Sequence, residues 1–268
     1  MTTISLEIVS KHFVRPDGIT HRVLDGVSLS LNANRFGALV GRNGSGKTTL
    51  LNLIAGLLEP DSGEIQTDGF VGKQPKVGYV WQNYRDSLLP WFSAMDNIAF
   101  PARVADGNWE TGRVLASKLL DSFLPDVAPA AKPYELSGGQ QQMISLLRAV
   151  ASQPDVLLLD EAFSSLDQHR SWNTALYVEK IWYKNPIPVF FISHDVDEAI
   201  LLADDIWFLS ARDGKIAGHV VNSLPRPRTL DMLTNPEHVR CRNAIIGFFA
   251  AENGRESPGT SQDSFEHR

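Results

Sequence analysis

A glycine-rich run at residues 41–48 has the residue types and the spacing that bind phosphate. Its sequence, Gly41-Arg42-Asn43-Gly44-Ser45-Gly46-Lys47-Thr48, fits the pattern G-x-x-x-x-G-K-[ST]. Glycines let backbone N–H groups close around phosphate oxygens, and a helix that follows would present its positive N-terminus. Lys47 could reach the β- and γ-phosphates of a nucleotide, and the Thr48 hydroxyl could ligate Mg²⁺. The run therefore predicts a phosphate-binding P-loop; the alternative is a glycine-rich turn that happens to precede a lysine.

Two acids follow an apolar run later in the chain. Asp160 and Glu161 come directly after residues 156–159, whose sequence predicts a buried strand. In open parallel sheets ligands gather at the carboxyl ends of the strands, so both acids are expected at the same edge as the P-loop. There Asp160 could hold Mg²⁺, directly or through its water, and Glu161 could orient or deprotonate an attacking water. The alternative is that acids simply end a buried strand where the chain reaches the surface.

A second predicted helix begins at Ser137-Gly138-Gly139-Gln140. Ser137 and Gln140 stand at the spacing of a capping box, in which each side chain bonds the backbone of the other residue. One interpretation is a capped helix with a flexible start. The other is a second anion site, because a hydroxyl, two glycines and a helix N-terminus suit a γ-phosphate.

Short apolar runs predict the strands that must position these groups. Runs buried on both faces of a mostly parallel sheet are indicated at residues 36–40, 77–80, 156–159 and 189–192, with a helix predicted at residues 48–58. Near the start of the chain, period-two alternation predicts half-buried antiparallel strands at Ile4, Leu6 and Ile8 and at Val27, Leu29 and Leu31. Between about residues 83 and 135 a helical insertion is predicted, with a cap at Ser93 and a stripe at Val114, Leu115, Leu119, Leu120 and Phe123. The predicted fold class is α/β.

Composition and charge narrow the class of protein. The 268 residues carry 25 Lys and Arg against 31 Asp and Glu, a net charge of −6, so binding of nucleic acid through bulk charge is not expected. The single cysteine, Cys241, can form neither an internal disulfide nor a cysteine-based zinc site, which favours a reducing compartment. No apolar run approaches the roughly 18–20 residues of a membrane-spanning helix, and the first residues lack the features of a secretion signal. We therefore expect a soluble, intracellular protein.

Five segments occur in the order found in ABC-type ATPases. They are the P-loop at residues 41–48, Leu136-Ser137-Gly138-Gly139-Gln140, residues 157–161, Ser165-Leu166-Asp167 and Ile192-Ser193-His194-Asp195. Over roughly residues 4–222 the chain therefore resembles that family, and Leu-Ser-Gly-Gly-Gln is its most family-specific element. The resemblance implies a RecA-like P-loop NTPase core with an antiparallel β subdomain and a helical subdomain insertion. It also implies hydrolysis of ATP to ADP and phosphate with Mg²⁺.

The resemblance implies a role for each site residue. Catalysis would fall to Lys47, Gln82, Glu161 and His194, and Mg²⁺ would meet Thr48, Gln82 and Asp160. Phe13 would stack on adenine; the alternative is a strand residue packed in the core. Thr49 would join the P-loop around the phosphates. Ser137 and Gly139 would hold the γ-phosphate of a nucleotide bound mainly to a second subunit, and Gly138 and Gln140 belong to the same nucleotide-binding segment. Asp167 would join the interface between the two subunits.

A domain organisation and partners are implied as well. Residues 1–222 would form one ABC ATPase domain, with its catalytic core at about 1–85 and 136–222 and its helical subdomain at about 86–135. Residues 223–251 would form a C-terminal helical extension, and the polar residues 252–268 are expected to be disordered. Two chains would form a homodimer, with ATP bound between them and stabilising the interface. The dimer would dock, through Gln82 and the helical subdomain, on a membrane permease at the cytoplasmic side of the cell membrane, and the permease would receive solute from an extracytoplasmic binding protein.

The residues after Gln82 narrow the resemblance. Leu88-Leu89-Pro90-Trp91, followed by Asp96-Asn97-Ile98, resembles the importer branch that handles nitrate, sulfonates and taurine. We also expect no additional regulatory domain like that of some sugar and methionine importers, as in that branch. The alternative for the loop is an apolar tip that docks on any membrane partner. For the whole chain the alternatives are an exporter ATPase subunit or a soluble ABC ATPase that does not serve transport.

Three positions depart from the family pattern. Ala162 stands where a proline is usual, Met143 replaces an arginine after the signature glutamines, and Leu147 replaces an alanine before Arg148. None of the three removes a group that would touch phosphate, metal or water. We therefore expect them to alter helix packing or turnover and to leave an active ATPase.

Overall fold

The computed structural model describes residues 3–68, 75–162, 176, 178–180, 182–183 and 186–254. In chain order its strands are β1 (Thr3–Val14), β2 (Thr20–Asn32), β3 (Phe36–Val40), β4 (Ser62–Asp68), β5 (Val77–Val80), β6 (Val156–Asp160), β7 (Val189–Ile192), β8 (Asp205–Leu209) and β9 (Ile216–Val221). The helices are α1 (Lys47–Ile54), α2 (Tyr84–Ser87), α3 (Ala94–Asp106), α4 (Trp109–Phe123), α5 (Gly138–Ala151), α6 (Val196–Leu202) and α7 (Pro236–Gly254). Single 3₁₀ segments occur at Pro133–Glu135 and Leu230–Thr234.

Among the described strands, six form the main sheet in the order β5-β6-β7-β3-β8-β9. All neighbours pair in parallel except β8 and β9, which are antiparallel. Every residue of β3, β6, β7 and β8 is buried, as expected for strands covered on both faces. The α/β prediction is therefore confirmed. Because β5, β6, β7 and β3 run in one direction, their carboxyl ends lie at one edge of the sheet.

Within the described residues, β1, β2 and β4 form a separate three-stranded antiparallel sheet. The predicted alternation is confirmed at Ile4 and Leu6, which are buried, and is wrong at Ile8, which is 69% exposed. The register shifts between Leu6 and Val9, and Ile8 adopts a φ of 53°. Such a bulge inserts one extra residue into a strand, so the residues after it change faces. Val9 takes the buried position instead.

Helices α2, α3, α4 and α5 occupy the chain between β5 and β6. Ser93 caps α3 as predicted, since its hydroxyl accepts a hydrogen bond from the Asp96 N–H at 3.1 Å. On α4, Leu120 is buried and its neighbours Leu115 and Leu119 pack against the core. The predicted stripe is wrong at Val114, which is 54% exposed. Consecutive helical residues lie about 100° apart around the axis, so Val114 falls outside the stripe that Leu115 begins.

Apolar side chains fill two clusters, one on each face of the main sheet. Leu159 and Phe191 belong to the cluster under α3, α4 and α5, whereas Leu158 and Phe190 belong to the cluster under α1 and the antiparallel sheet. Successive strand residues point to opposite faces, so the four buried strands contribute to both clusters.

The three departures from the family pattern lie in one of these clusters. Met143, Leu147 and Ala162 are 4%, 0% and 4% exposed, and all three belong to the cluster under α3, α4 and α5. An apolar side chain at residue 143 suits that environment, because an unpaired charge there would carry a large desolvation cost. The departures therefore concern the contact between α5 and the end of β6.

Helix α7 covers the edge of the main sheet formed by β8 and β9. Phe208 on β8 packs against Phe248 and Phe249, with ring centroids 5.8 and 4.8 Å apart. A Cβ on Gly218 would lie 2.2 Å from the Phe248 ring, so only glycine fits on β9 there.

Helix α7 continues through Gly254, beyond the predicted end of the extension at residue 251, and residues 255–268 lie outside the described chain. In the described part of the chain, no helix is long and apolar enough to cross a membrane.

Asn97 fixes the loop that precedes α3. Its side chain is fully buried, with Oδ1 accepting from the Leu89 N–H at 2.9 Å and Nδ2 donating to the Leu89 carbonyl at 3.1 Å. The same Nδ2 lies 3.0 Å from the Ser93 carbonyl. One amide therefore satisfies several backbone groups of residues 89–93, and Trp91 is held in this loop with 66% of its surface exposed.

Replacing Asn97 by alanine is expected to lower the free energy of unfolding by about 1–3 kcal/mol, because buried backbone groups lose their partner. Urea denaturation followed by far-UV circular dichroism would measure the change. Lys118→Ala, at an exposed position of α4, is the control and should shift stability by less than about 0.5 kcal/mol. Equal stability of the Asn97 and Lys118 variants would show that the Asn97 amide does not hold the loop.

Candidate active site

The glycine-rich run forms the turn between β3 and α1, as predicted. Gly44 and Gly46 have φ values of 77° and 96°, in the left-handed region that side-chain-bearing residues rarely adopt. Gly46 is also crowded, since a Cβ there would lie 2.8 Å from the Val23 side chain. The loop therefore needs glycine for its backbone angles at both positions and for space at residue 46.

Lys47 is folded into this loop. Its side chain is 5% exposed, and Nζ donates to the Gly41 and Arg42 carbonyls at 2.9 and 2.8 Å. Burial lowers the pKa of Lys47 below its ordinary value, while the nearby carboxylates of Glu161 and Asp160 act in the opposite direction. A buried ammonium at a helix N-terminus attracts anions, and phosphate oxygens are well suited to it.

Asp160 ends β6 beside the start of α1. The residue is 1% exposed, and its Oδ1 accepts a hydrogen bond from the Thr48 hydroxyl at 3.3 Å. Burial raises the pKa of Asp160, and the charge of Glu161 adds to the rise, while the Thr48 hydrogen bond opposes it. A carboxylate whose charge is disfavoured by burial is stabilised by a cation, so Asp160 and the Thr48 hydroxyl fit a Mg²⁺ ion.

The donor set also fits this ion. Among the described residues there is no group of three or more His, Cys, Asp or Glu side chains that could hold a metal. Mg²⁺ in nucleotide sites does not require one, because it takes one or two protein ligands and completes its shell with water and phosphate.

Glu161 lies between two other predicted catalytic residues. Gln82, two residues after β5, donates to Glu161 Oε2 at 2.7 Å, and His194, two residues after β7, places Nε2 2.5 Å from Glu161 Oε1. The Glu161 backbone has a φ of 49°, an uncommon conformation for a residue other than glycine. Such strain concentrates at functional sites. The carboxyl ends of β5, β6 and β7 thus hold one carboxylate between an amide and an imidazole.

Apart from the buried Asp160, these functional side chains line one open pocket of about 500 Å³, a size suited to a small-molecule ligand. Its lining comprises Val23, Asn43, Gly44, Gly46, Lys47, Thr48, Thr49, Gln82, Glu161 and His194. All but Val23 were predicted from the sequence. Val23 comes from β2, and its apolar position in an ordinary strand carried no signal of a site.

The structure leaves other predicted residues outside this pocket. Phe13 is 40% exposed at the end of β1, with Lys11 Nζ 5.8 Å from its ring centroid, so it is not packed in the core. Ser137 is exposed at the start of α5 and forms the predicted capping box with Gln140, at 3.3 and 2.9 Å. Gly138 and Gly139 begin the same helix and do not line the pocket. Asp167 lies outside the described residues.

Two contacts to the site were missed in the sequence. Gln142, buried on α5, donates through Nε2 to the carbonyl of Ala162, the residue after Glu161. This links the helix that begins at Ser137 to the strand end that carries the two acids. The other contact is made by the last turn of α7, where Asn253 Oδ1 lies 3.4 Å from Arg42 of the glycine-rich loop.

Comparisons with known proteins match the chain to one family and to several relatives. Residues 24–164 match the family model described as ABC transporter. The taurine import ATP-binding protein TauB of Sinorhizobium fredii is 37% identical over 240 residues, which are 88% of this chain and 90% of that protein. The nitrate import ATP-binding protein NrtC of Synechococcus elongatus is 35% identical over 91% of this chain, which spans only 38% of that longer protein. A dimeric ATP-binding cassette solved in a post-hydrolysis state with ADP and Pi superposes with a TM-score of 0.71 at 25% identity, covering 81% of this chain and 98% of the other.

Proposed function

This chain belongs to the ABC transporter family and is an ABC-type ATPase, and on that premise we propose that it drives import of a small solute through a separate membrane permease. ATP hydrolysis is supported by one observation: a single pocket is lined by Lys47, Thr48, Gln82, Glu161 and His194. The import part is supported by the taurine and nitrate import proteins that the chain resembles over most of its length.

In the proposed reaction the P-loop holds the phosphates of ATP. Backbone N–H groups of residues 41–48 and the Lys47 ammonium bind the β- and γ-phosphate oxygens, and Phe13 supports adenine. Thr48, Asp160 and Gln82 would hold Mg²⁺, which neutralises phosphate charge when bound. Glu161 accepts a proton from the water whose oxygen attacks the γ-phosphorus, and ADP leaves as the P–O bond to the β-phosphate breaks. His194, 2.5 Å from Glu161, positions that carboxylate.

A second copy of the chain would complete each site. Ser137, Gly138, Gly139 and Gln140 lie outside the pocket of their own chain, which suits residues that serve the nucleotide of the other subunit. The capped N-terminus of α5 would then meet the γ-phosphate across the interface. Asp167 is proposed to join the same interface. ATP would hold the two chains together and hydrolysis would release them, so the dimer acts as a switch.

The permease would dock beside Gln82. Trp81, the residue before Gln82, is 39% exposed, and Trp91, in the loop before α3, is 66% exposed, so this segment presents large apolar side chains to a partner. A conformational change caused by docking would be transmitted from the helices around residues 86–135 through Gln82 to the Glu161 carboxylate. In this proposal the dimer is peripheral at the cytoplasmic side of the membrane, and the permease receives a taurine-like or nitrate-like solute from an extracytoplasmic binding protein.

Co-purification from the native host tests the transport role. With a tagged chain and gently solubilised membranes, we expect a multi-helix permease in the eluate. Trp91→Ala should reduce its recovery, whereas Val221→Ala, an exposed apolar position on β9, should leave recovery unchanged. A dimer without a permease, or one with ribosomal or DNA-associated proteins, would contradict import and favour a soluble ABC ATPase. A permease that carries solute outward in vesicles would instead favour the exporter alternative.

A further inference from the structure

The last turn of α7 contacts the glycine-rich loop and the strand end behind it. Glu252 Oε1 accepts a hydrogen bond from the Ala211 N–H at 2.7 Å, just after β8. Asn253 Oδ1 accepts one from Arg42 Nη1 at 3.4 Å. A Cβ on Gly41 would lie 2.4 Å from the Leu209 carbonyl, so the end of β8 touches the loop directly. The helix end and the loop therefore form one contact surface.

Helix α7 is held firmly in this position. Phe248 and Phe249 pack on Phe208 near the C-terminal end of the helix. Nearer its start, Arg242 Nε lies 3.3 Å from Asp197 Oδ1 on α6, the helix that follows His194. The residues at its last turn are thus fixed relative to the site and are not on a free end.

Glu252 brings a negative charge to a phosphate site. Only one of its carboxylate oxygens binds Ala211; the other, Oε2, is buried and has no hydrogen-bond partner among the described residues. The next residue, Asn253, bonds Arg42 of the glycine-rich loop, and Glu252 itself bonds Ala211 beside the end of β8, so the Glu252 carboxylate lies next to that loop. Asp160 and Glu161 have proposed tasks with Mg²⁺ and water, whereas Glu252 has none in the reaction.

We propose that the last turn of α7 sets the affinity for nucleotide, with the Glu252 charge weakening the binding of phosphate groups at the glycine-rich loop and Asn253 positioning Arg42. This inference rests on the proposed phosphate role of residues 41–48. A nucleotide with its phosphates is an anion, so a fixed carboxylate beside the glycine-rich loop repels it. The expected benefit is faster release of ADP after hydrolysis, since ADP that stays bound would delay the next ATP.

Two nearly isosteric substitutions with opposite charge changes test the proposal. Glu252→Gln removes a negative charge and keeps an oxygen for Ala211, so affinity for ADP and ATP should rise by about 3- to 10-fold. Asn253→Asp adds a negative charge beside Arg42, so affinity should fall by a similar factor. Both effects should shrink as ionic strength rises. Titration of the full-length chain with fluorescent ADP and ATP, checked by thermal unfolding, measures them.

The controls separate this inference from the proposed function. Glu110→Gln, an exposed residue on α4, makes the same charge change away from the site and should leave affinity unchanged. If both test variants weaken binding or neither changes it, the charge of the helix end does not set affinity and the inference is wrong. If Lys47→Ala binds nucleotide normally, the proposed phosphate-binding role of residues 41–48 is wrong, and this inference falls with it. Loss of binding in Lys47→Ala beside an unchanged Glu252→Gln overturns this inference alone.

Discussion

Replacing Glu161 by glutamine is expected to stop ATP hydrolysis while ATP binding is retained. The amide cannot take a proton from water, yet its oxygen and nitrogen fill the same space between Gln82 and His194, which contact the carboxylate at 2.7 and 2.5 Å. Loss of a general base lowers turnover by about 10²- to 10⁴-fold. Phosphate release measures turnover, and size-exclusion chromatography with ATP should show a dimer that persists because the nucleotide is not consumed.

Glu110→Gln is the matched control for this substitution, because it makes the same chemical change at an exposed site of α4 and should hydrolyse ATP at the normal rate. Unchanged hydrolysis in Glu161→Gln would remove Glu161 from the role of base. Loss of ATP binding together with turnover would indicate instead that the Glu161 carboxylate supports the pocket structurally, through its contacts with Gln82 and His194.

The parts of this site that the sequence predicts are those built from local patterns. The turn from β3 into α1 follows from residues 36–48 alone, because a buried strand, a glycine-rich run and a helix stand in direct succession. Asp160 ends one buried strand and Glu161 follows it, and parallel pairing then brings both to the edge that also carries Gln82 and His194. Neighbouring parallel strands end at the same edge, which predicts the two acids beside the P-loop. Gln82 and His194 were expected there only from the resemblance to ABC-type ATPases.

Contacts between distant segments carried no such signal. Arg42 and Asn253 are 211 residues apart in sequence, and Gln142 reaches Ala162 through the interior between α5 and β6. Each depends on how complete helices pack, which periodicity does not specify. Ile8 shows the same limit on a smaller scale, because its exposure results from a bulge that the alternation of apolar residues does not reveal.

The structure shows that the three departures from the family pattern pack in one place, which the sequence alone does not reveal. Met143, Leu147 and Ala162 do not line the pocket; they share one apolar cluster at the contact between α5 and the end of β6. Gln142 lies in the same contact and bonds Ala162. We infer that the substitutions form one repacked contact, which connects α5 to the residue after Glu161 without changing a group that is proposed to meet phosphate, metal or water.

Replacing Lys47 by alanine is expected to weaken nucleotide binding itself. The ammonium is the charged donor within the glycine-rich loop that is buried against Gly41 and Arg42, and hydrogen bonds from charged groups contribute about 1.5–3 kcal/mol. Affinity for ATP should therefore fall by about 10- to 100-fold. Titration with a fluorescent ATP analogue measures the loss, with Lys118→Ala on the exposed side of α4 as the control of equal charge change.

Stability must be measured in the same Lys47 variant, because alanine also leaves the Gly41 and Arg42 carbonyls without the donor that lies 2.9 and 2.8 Å from them. A phosphate role predicts that affinity falls in a chain that still unfolds cooperatively, and that the loss is larger for ATP than for adenosine, which has no phosphates to lose contact with. Normal ATP affinity in a folded Lys47→Ala chain would contradict the P-loop assignment. Equal losses for ATP and adenosine would show that Lys47 shapes the pocket and does not bind phosphate.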